Sequence, residues 1–335
     1  MKFLIPATGK SFRISILLPD LDGFRSKITN PMADHMLLVQ TQTDVEGLLK
    51  ELSGINTEYL VTSDAAFWKK LTKKRKVTGL LGYVLPCTVK NYEHMQVVYA
   101  PPLLLHDRSG FDTAIQTAVD HWQGNYQEPG SEVVVTKLRT LPEIKQWLLA
   151  NVQTPLAADL ETFSLKHWSS GIGSIAFAKS SYEAVAFLID LSNEAATLRT
   201  WLRQWFEARN AWTLWHNATF DAYILTYQLW MKSLRDYPGL REGLKHSTRG
   251  IECSKIVSYL ALNSAQEISL KLKDLAQEFL GDWAVDDITD ITKIDVEELL
   301  EYNGRDACAA FWTYEQHKPT MVADQQEEVY ETLLK

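Results

Sequence analysis

Cysteine is scarce in this sequence, and the scarcity narrows its class. Its three cysteines are Cys87, Cys253 and Cys308. Residues so few and so scattered suit neither a disulfide framework nor a zinc cluster, so a reducing intracellular setting, the cytoplasm, is expected. No apolar run approaches the roughly 18 residues a membrane helix needs, which excludes a membrane role. Met1–Pro6 is too short an apolar segment for a secretory signal. Positive charge is also in deficit, with 34 Lys and Arg against 42 Asp and Glu and a net charge of −8. Polyanion binding by overall charge is thereby excluded, whereas a local basic groove is not. Glycine-rich phosphate loops, internal repeats and low-complexity tracts are missing as well.

What is present reads as globular. The hydrophobic fraction is 46% and the charged fraction 23%, both ordinary values. Eleven Trp residues imply large buried surfaces, with some rings available to stack on a ligand. A chain of 335 residues accommodates two domains, at roughly 100–200 residues each.

Up to residue 127 the pattern alternates strands and helices. Ile14–Leu18, Met36–Val39, Tyr59–Thr62 and Gln96–Tyr99 read as strands bounded by turn residues. Thr43–Leu52 has helical spacing with Asp44 and Glu46 at its start. Thr62–Asp64 offers N-caps to a helix carrying Phe67, Trp68 and Leu71. This predicts a small α/β accessory domain over residues 1–127. Lys69, Lys70, Lys73, Lys74, Arg75 and Lys76 put six cations in eight residues, either a solvated helix end or a patch contacting DNA phosphates.

The polar stretch Gly124–Ser131 is the expected boundary. A second domain, predicted over 132–320, opens with a strand at Val133–Leu138 and a helix at Leu141–Ala150 with Pro142 in its first turn. Three strands follow at Leu156–Leu160, Ile172–Ala178 and Ala184–Ile189, then a helix over Glu194–Arg209, a buried strand at Trp212–Trp215 and a helix over Ala218–Met231. Residues 231–250 read as a polar insertion, either a solvated loop or a phosphate-binding flap carrying Lys232, Arg235, Arg241, Lys245 and Arg249. From Ile251 the chain reads as mostly helical, with 321–335 a C-terminal helical segment. The fold class expected is α/β with a mixed central sheet.

Within this frame, Asp159 and Glu161 follow the apolar Pro155–Ala158. On a strand, residues i and i+2 share a face, so two carboxylates would repel each other unless a cation sits there. Asp221 lies in the first turn of its helix, with Asn217 a candidate N-cap and Phe220 a core anchor. Tyr302 and Asp306 are spaced i, i+4 and share one helix face. Each element alone has an ordinary structural explanation. Together they give four carboxylates on apolar scaffolds, and hard oxygen donors suit Mg2+ or Mn2+, not zinc. Two such ions can activate water and stabilise a leaving oxygen in phosphodiester hydrolysis. A phenol with an ordinary pKa near 10 would position that water rather than deprotonate it.

Asp159-x-Glu161-Thr162, His216-Asn217-x-x-Phe220-Asp221 and Tyr302-x-x-x-Asp306 resemble, in order, the three exonuclease motifs of the DEDD superfamily in its tyrosine subtype. Glu252–Tyr259 followed by Ser269–Ala276 is similar to the helix pair in the proofreading domains of family A DNA polymerases. The compact style of the chain is similar to phage replication proteins. The resemblance spans about residues 132–318. It implies an RNase H-like (DnaQ-like) fold, two divalent cations, and 3′→5′ release of nucleoside 5′-monophosphates from a single-stranded or frayed DNA 3′ end. Asp159, Glu161, Asp221 and Asp306 would be the metal ligands and Tyr302 would orient the water. Thr162, Phe163, Asn217 and Phe220 would contact the terminal nucleotides, with Leu165 and His167 lining the same cleft.

Glu252 departs from the Asp often found at its position in the polymerase relatives. The end of the chain resembles the segment that joins proofreading to polymerising domains, so the implied partner is a DNA polymerase domain or subunit. An RNase D-like exoribonuclease and an inactive exonuclease-fold scaffold for replication proteins are the alternatives. The N-terminal pattern is similar to uracil-DNA-glycosylase-like folds without their catalytic signatures, which implies an accessory or docking module.

Overall fold

The computed structural model describes residues 3–4, 12–21, 30–74, 80–102, 109–262, 269–281 and 290–334. Two compact units divide the chain, Met1–Ser131 and Glu132–Lys335. In the first, the described strands and helices run β1 (Phe3–Leu4), β2 (Ile14–Leu18), β3 (Met36–Gln40), α1 (Val45–Gly54), β4 (Tyr59–Thr62), α2 (Ala65–Thr72), β5 (Val84–Pro86), β6 (Gln96–Tyr99) and α3 (Ser109–Gln123). The sheet order is β1-β3-β2-β4-β6-β5. Its four central strands are parallel, and their near-continuous Val, Ile and Leu runs are what burial on both faces demands. Ile14, Ile16, Val61 and Val98 pack against α3, while Leu17, Val39, Leu60 and Val97 pack against α1 and α2.

The second unit contains β7 (Val134–Lys137), α4 (Leu141–Ala150), β8 (Leu156–Glu161), β9 (Ser174–Ala178), β10 (Glu183–Leu188), α5 (Ala195–Ala208), β11 (Thr213–Trp215), α6 (Ala218–Leu229), α7 (Tyr237–Ser247), β12 (Ile251–Cys253), α8 (Ser254–Ala261), α9 (Leu272–Leu275), α10 (Gln277–Leu280), α11 (Val296–Ala323) and α12 (Glu327–Leu334). The order β12-β11-β8-β9-β10-β7 is mixed: β9 runs antiparallel to β8 and β10, and the other neighbours are parallel. Thr140 caps α4 and forms a capping box with Glu143, which fixes where that helix starts.

Strand alternation sorts β8 between two cores. Leu156, Ala158 and Leu160 face the layer of α4, α5 and α6, whereas Ala157 faces the layer that contains α8 and α11. Asp159 and Glu161 share the parity of Ala157, so they point to the α11 side. That helix comes close because its sheet-facing residues are small: Gly304, Ala307, Cys308 and Ala310 are buried. At Gly304 even a Cβ would stand 2.3 Å from a methyl of Val135 on β7, so glycine here is a matter of clearance.

Two polar networks hold the sheet ends. Arg209 is 3% exposed. It donates to the carbonyls of Asn151, Val152, Thr154 and Trp212 and to Thr213 Oγ1, at 2.7–3.2 Å. At Glu252, Oε2 accepts from the hydroxyls of Tyr314 (3.0 Å) and Tyr330 (2.6 Å). The departure at 252 thus fastens α12 to β12.

The structure departs from the sequence pattern in three places. Residues 231–250 are not a loop throughout: Asp236 caps α7, with Pro238 and Gly239 in its first turn. His246 stacks on Trp230, and Arg249 bonds the carbonyls of Glu207 and Arg209, so this segment packs on the core and Arg249 is no flap cation. The start of the C-terminal region is a strand, β12, before the helices begin. Asn217 occupies the N-cap position of α6 but in a left-handed conformation (φ 66°), with no side-chain cap hydrogen bond.

Candidate active site

The end of β8 and the middle of α11 meet at one spot. One carboxylate oxygen from each of Asp159, Glu161 and Asp306 lies within 4.8 Å of the others. Asp159 Oδ2 accepts from Asn303 Nδ2 at 2.8 Å, and Asn303 Oδ1 accepts from Ser174 Oγ at 3.0 Å. Ser174 pairs with Glu161 in the β8–β9 register. Neither Asn303 nor Ser174 has any solvent exposure. Sequence reasoning missed both, although an Asn between Tyr302 and Asp306 in a buried helical pattern is itself a signal, since amide groups are seldom buried without a partner to hold.

Burial first, and then the neighbouring carboxylates, push these groups well above the usual carboxylate range. Asp159 is raised by desolvation and by Asp306, against opposing help from Asn303 and Lys273. Glu161 is raised by desolvation and then by Asp159 and Asp306. Asp221, 4% exposed in the first turn of α6, is raised by desolvation and by Asp159. It stands outside the trio within 4.8 Å, yet its charge reaches Glu161. Four like charges converge, and the donor set is all oxygen; hard divalent cations fit it.

Tyr302 is raised far above the ordinary phenol value by burial, then by Asp306, Glu161 and Asp159, with a side-chain hydrogen bond to Asp306. Burial and the surrounding carboxylates thus favour its neutral hydroxyl form. Lys273 Nζ lies 5.0 Å from the centroid of the Tyr302 ring. In the sequence Lys273 belongs only to a linking segment, and its separation from the motifs along the chain hid its place beside them.

His216 explains how that segment is held. Its Nε2 is 3.0 Å from the Leu270 carbonyl and its Nδ1 is 2.9 Å from Ser254 Oγ. A carbonyl can only accept, so Nε2 carries the proton and Nδ1 accepts from the serine. Burial pulls the pKa of His216 down to about 4, which keeps the ring neutral. His216 therefore anchors the chain that delivers Lys271 and Lys273 to the cleft.

Thr162 Oγ1 bonds the Ser164 carbonyl at 3.1 Å. Phe163, 38% exposed, packs over Gly171, whose φ of 67° favours glycine and where a Cβ would stand 3.0 Å from the Phe163 ring. Leu165 is 86% exposed, and the His167 ring touches Trp168, Tyr223 and Tyr227. Asn217 is exposed, with Oδ1 3.5 Å from Lys255 Nζ. Phe220 is partly buried against the core. Lys69, Lys70, Lys73 and Lys74 are exposed in the first unit, at and after the end of α2. Arg75 and Lys76 lie outside the described residues.

The family model for 3′–5′ exonuclease matches residues 133–316 of the 335. The chain belongs to the 3′–5′ exonuclease family. This exonuclease has the RNase H-like mixed α/β fold, acts at nucleic-acid 3′ ends and uses divalent metal. Among solved structures it is similar to Brucella melitensis NrnC with bound Mg2+, at 15% identity and TM-score 0.41, covering 60% of this chain and 86% of that one. It is similar to the catalytic core of RRP6 from Trypanosoma brucei at 12% identity and TM-score 0.43, covering 60% and 52%. The Aedes aegypti Nibbler EXO domain is similar at 12% identity and TM-score 0.44, covering 60% and 95%. No curated protein matches the chain. Among its described residues, no helix is long and apolar enough to cross a membrane.

Proposed function

We propose that the exonuclease removes nucleoside 5′-monophosphates from DNA 3′ ends by two-metal hydrolysis, as the proofreading part of a family A-like DNA polymerase. The observation that carries this reading is the convergence of Asp159, Glu161 and Asp306 within 4.8 Å, with Asp221 at the edge. Asp159, Glu161, Asp221 and Asp306 would hold two Mg2+ or Mn2+ ions. Bound there, such ions supply the positive charge that activates water and stabilises the leaving oxygen. Asn303 holds Asp159 in one orientation through Oδ2. Tyr302, a neutral donor on Asp306, orients the attacking water. Thr162, Phe163, Asn217 and Phe220 surround the terminal nucleotide. The choice of DNA rests on the linking segments at 252–259 and 269–276.

Labelled single strands of DNA and RNA of one sequence, incubated with Mg2+, Mn2+ or chelator, test the reading. Metal-dependent shortening of DNA from its 3′ end, faster than that of RNA, is expected; preferential shortening of RNA would move the assignment to an exoribonuclease. Tyr302→Phe is expected to lower kcat by about 10- to 100-fold, the scale of a positioning loss, with metal affinity unchanged. An unaltered kcat removes Tyr302 from the chemistry.

In the first unit, the exposed cations at and after the end of α2 are proposed to bind DNA phosphates. Replacing Lys69, Lys70, Lys73 and Lys74 by Gln should reduce the salt slope of single-strand affinity by about 0.7 for each phosphate left without its cation. An unchanged slope assigns these lysines to solvation alone.

A further inference from the structure

Residues 162–173, which join β8 to β9, form neither helix nor strand. They include Thr162 and Phe163, which follow directly on the carboxylates of β8. A segment without a backbone ladder keeps one conformation only if other bonds offset the entropy of fixing it. Its own bonds are local: Thr162 Oγ1 donates to the Ser164 carbonyl, and the Ser169 amide to the Lys166 carbonyl. Two side-chain hydrogen bonds tie it to other elements, and both lead to Arg199 of α5.

Arg199 Nε donates to Asp190 Oδ1 at 2.6 Å and Nη2 to Asp190 Oδ2 at 2.5 Å, a bidentate pair. The same Asp190 Oδ2 accepts from the Ile172 amide at 2.7 Å. On its other side Arg199 donates to the Gln228 carbonyl (2.9 Å) and to Gln228 Oε1 (3.1 Å). Gln228 Nε2 then donates to the His167 carbonyl at 2.8 Å. One guanidinium thus serves both attachments, which its planar fork of donors allows and an ammonium does not. Gly171 carries the restraint to Phe163. A Cβ there would stand 3.0 Å from Asp190 Oδ2 and 3.0 Å from the Phe163 ring, so carboxylate, glycine and ring pack in succession. Asp159 and Glu161 point to the α11 side of the sheet, whereas α5 packs on the other side. Arg199 therefore reaches the site only through this segment.

We propose that Arg199 is a positioning residue for hydrolysis: through Asp190 and Gln228 it fixes residues 162–173 so that Phe163 meets the 3′-terminal nucleotide in one place. The proposal rests on the exonuclease reading, in which Phe163 borders that nucleotide, and adds the residue that sets where Phe163 stands. A terminal nucleotide that shifts carries its phosphodiester off the line of attack, so freeing the segment lowers kcat/KM.

The test compares Arg199→Gln and Gln228→Glu with the wild type, each with and without Phe163→Ala, on a labelled single-stranded oligodeoxynucleotide in Mg2+. Gln228→Glu keeps an acceptor for Arg199 but offers no donor to the His167 carbonyl, so it opens the clasp without stranding the guanidinium. Each variant is expected to lower kcat/KM by about 10- to 100-fold when Phe163 is present. In Phe163→Ala, where the ring to be positioned is gone, each should cost less than about threefold. Arg199→Lys, which keeps the charge but not the fork, should fall between. Trypsin reads the same restraint independently of activity: cleavage after the exposed Lys166 should quicken by at least about tenfold in Arg199→Gln and Gln228→Glu, with cleavage elsewhere unchanged. An unchanged kcat/KM, or equal losses with and without Phe163, would reduce Arg199 to a structural ion pair and overturn the proposal, and so would unchanged cleavage after Lys166. If Arg199→Gln does not fold, Gln228→Glu decides alone. If the wild type hydrolyses no strand, the exonuclease reading fails, while cleavage after Lys166 still decides whether the clasp holds the segment.

Discussion

Replacing Asp159 by Asn lowers metal-dependent release of 3′-terminal nucleotides by about 10³-fold or more and, in chelator, raises the melting temperature of the same protein. The two effects have one origin. In the metal-free protein Asp159 is desolvated and faces Asp306, with Glu161 close by, so its charge works against the fold. Asparagine keeps the shape and still accepts from Asn303 through its carbonyl oxygen, but carries no charge. Relief of repulsion at one such site is worth about 1–2 kcal/mol, or about 2–8 °C for a unit of this size.

The sign of the pH dependence follows. Asp159 and Glu161 have folded pKa values raised above their unfolded ones. Their favourable contribution is complete below about pH 4, the unfolded value, and is lost as pH rises through the folded values. The melting temperature of the variant should therefore exceed that of the wild type by more at pH 8 than at pH 5. Adding Mg2+ should reverse the ranking, because only the wild type gains binding free energy. Thermal melts across pH, with chelator and with Mg2+, read all of this. Full activity in Asp159→Asn would remove the residue from the site; an unchanged melting temperature in chelator would deny the repulsion.

Arg209→Ala is expected to destabilise the protein by roughly 3–5 kcal/mol, because it leaves a set of buried carbonyls without donors. Burial lowers the Arg209 pKa to about 10, so the side chain is still charged at pH 7, and its guanidinium sits 4.5 Å over the Trp205 ring. Its acceptors are four carbonyls and a threonine hydroxyl rather than a carboxylate. Two of those carbonyls, at Val152 and Thr154, lie on the approach to β8, while Trp212 immediately precedes β11 and Thr213 opens it. One planar fork therefore ties together the starts of the two strands that lead into the motifs at 159–161 and 216–221. Arg209→Lys supplies three donors in place of five, without the planar stack, and should recover less than half of the loss. Urea unfolding measures both, and a loss under about 1 kcal/mol for Arg209→Ala would mean that water replaces the guanidinium.

Strand and helix placement was legible wherever local pattern and burial agree. The strand at Leu156–Leu160 and the helix carrying Tyr302 and Asp306 lie where their spacing puts them, because each has an apolar face that leaves it no other orientation. The α7 segment was not legible. Residues 231–250 read as a polar insertion, yet Pro238 stands in the first helical turn, where proline loses no hydrogen bond. Within the site, carboxylates and phenol announced themselves through their spacing. Asn303, Ser174 and Lys273 did not, because their roles depend on contacts across the sheet and between distant segments. Asn217 misled in the other direction: its position before a helix suits capping, but its left-handed backbone turns the side chain toward Lys255 instead.

The clearance at Gly304 has a consequence for how much error the chemistry tolerates. Asp159 and Glu161 belong to the sheet and Asp306 to the helix above it, so the separation within the trio is the separation between two layers. That separation leaves no room for a side chain at Gly304, where a Cβ would stand 2.3 Å from a methyl of Val135. A single methyl there would act as a shim under α11, lifting Tyr302, Asn303 and Asp306 together. The calibration of the site thus resides partly at a position that touches neither metal nor substrate.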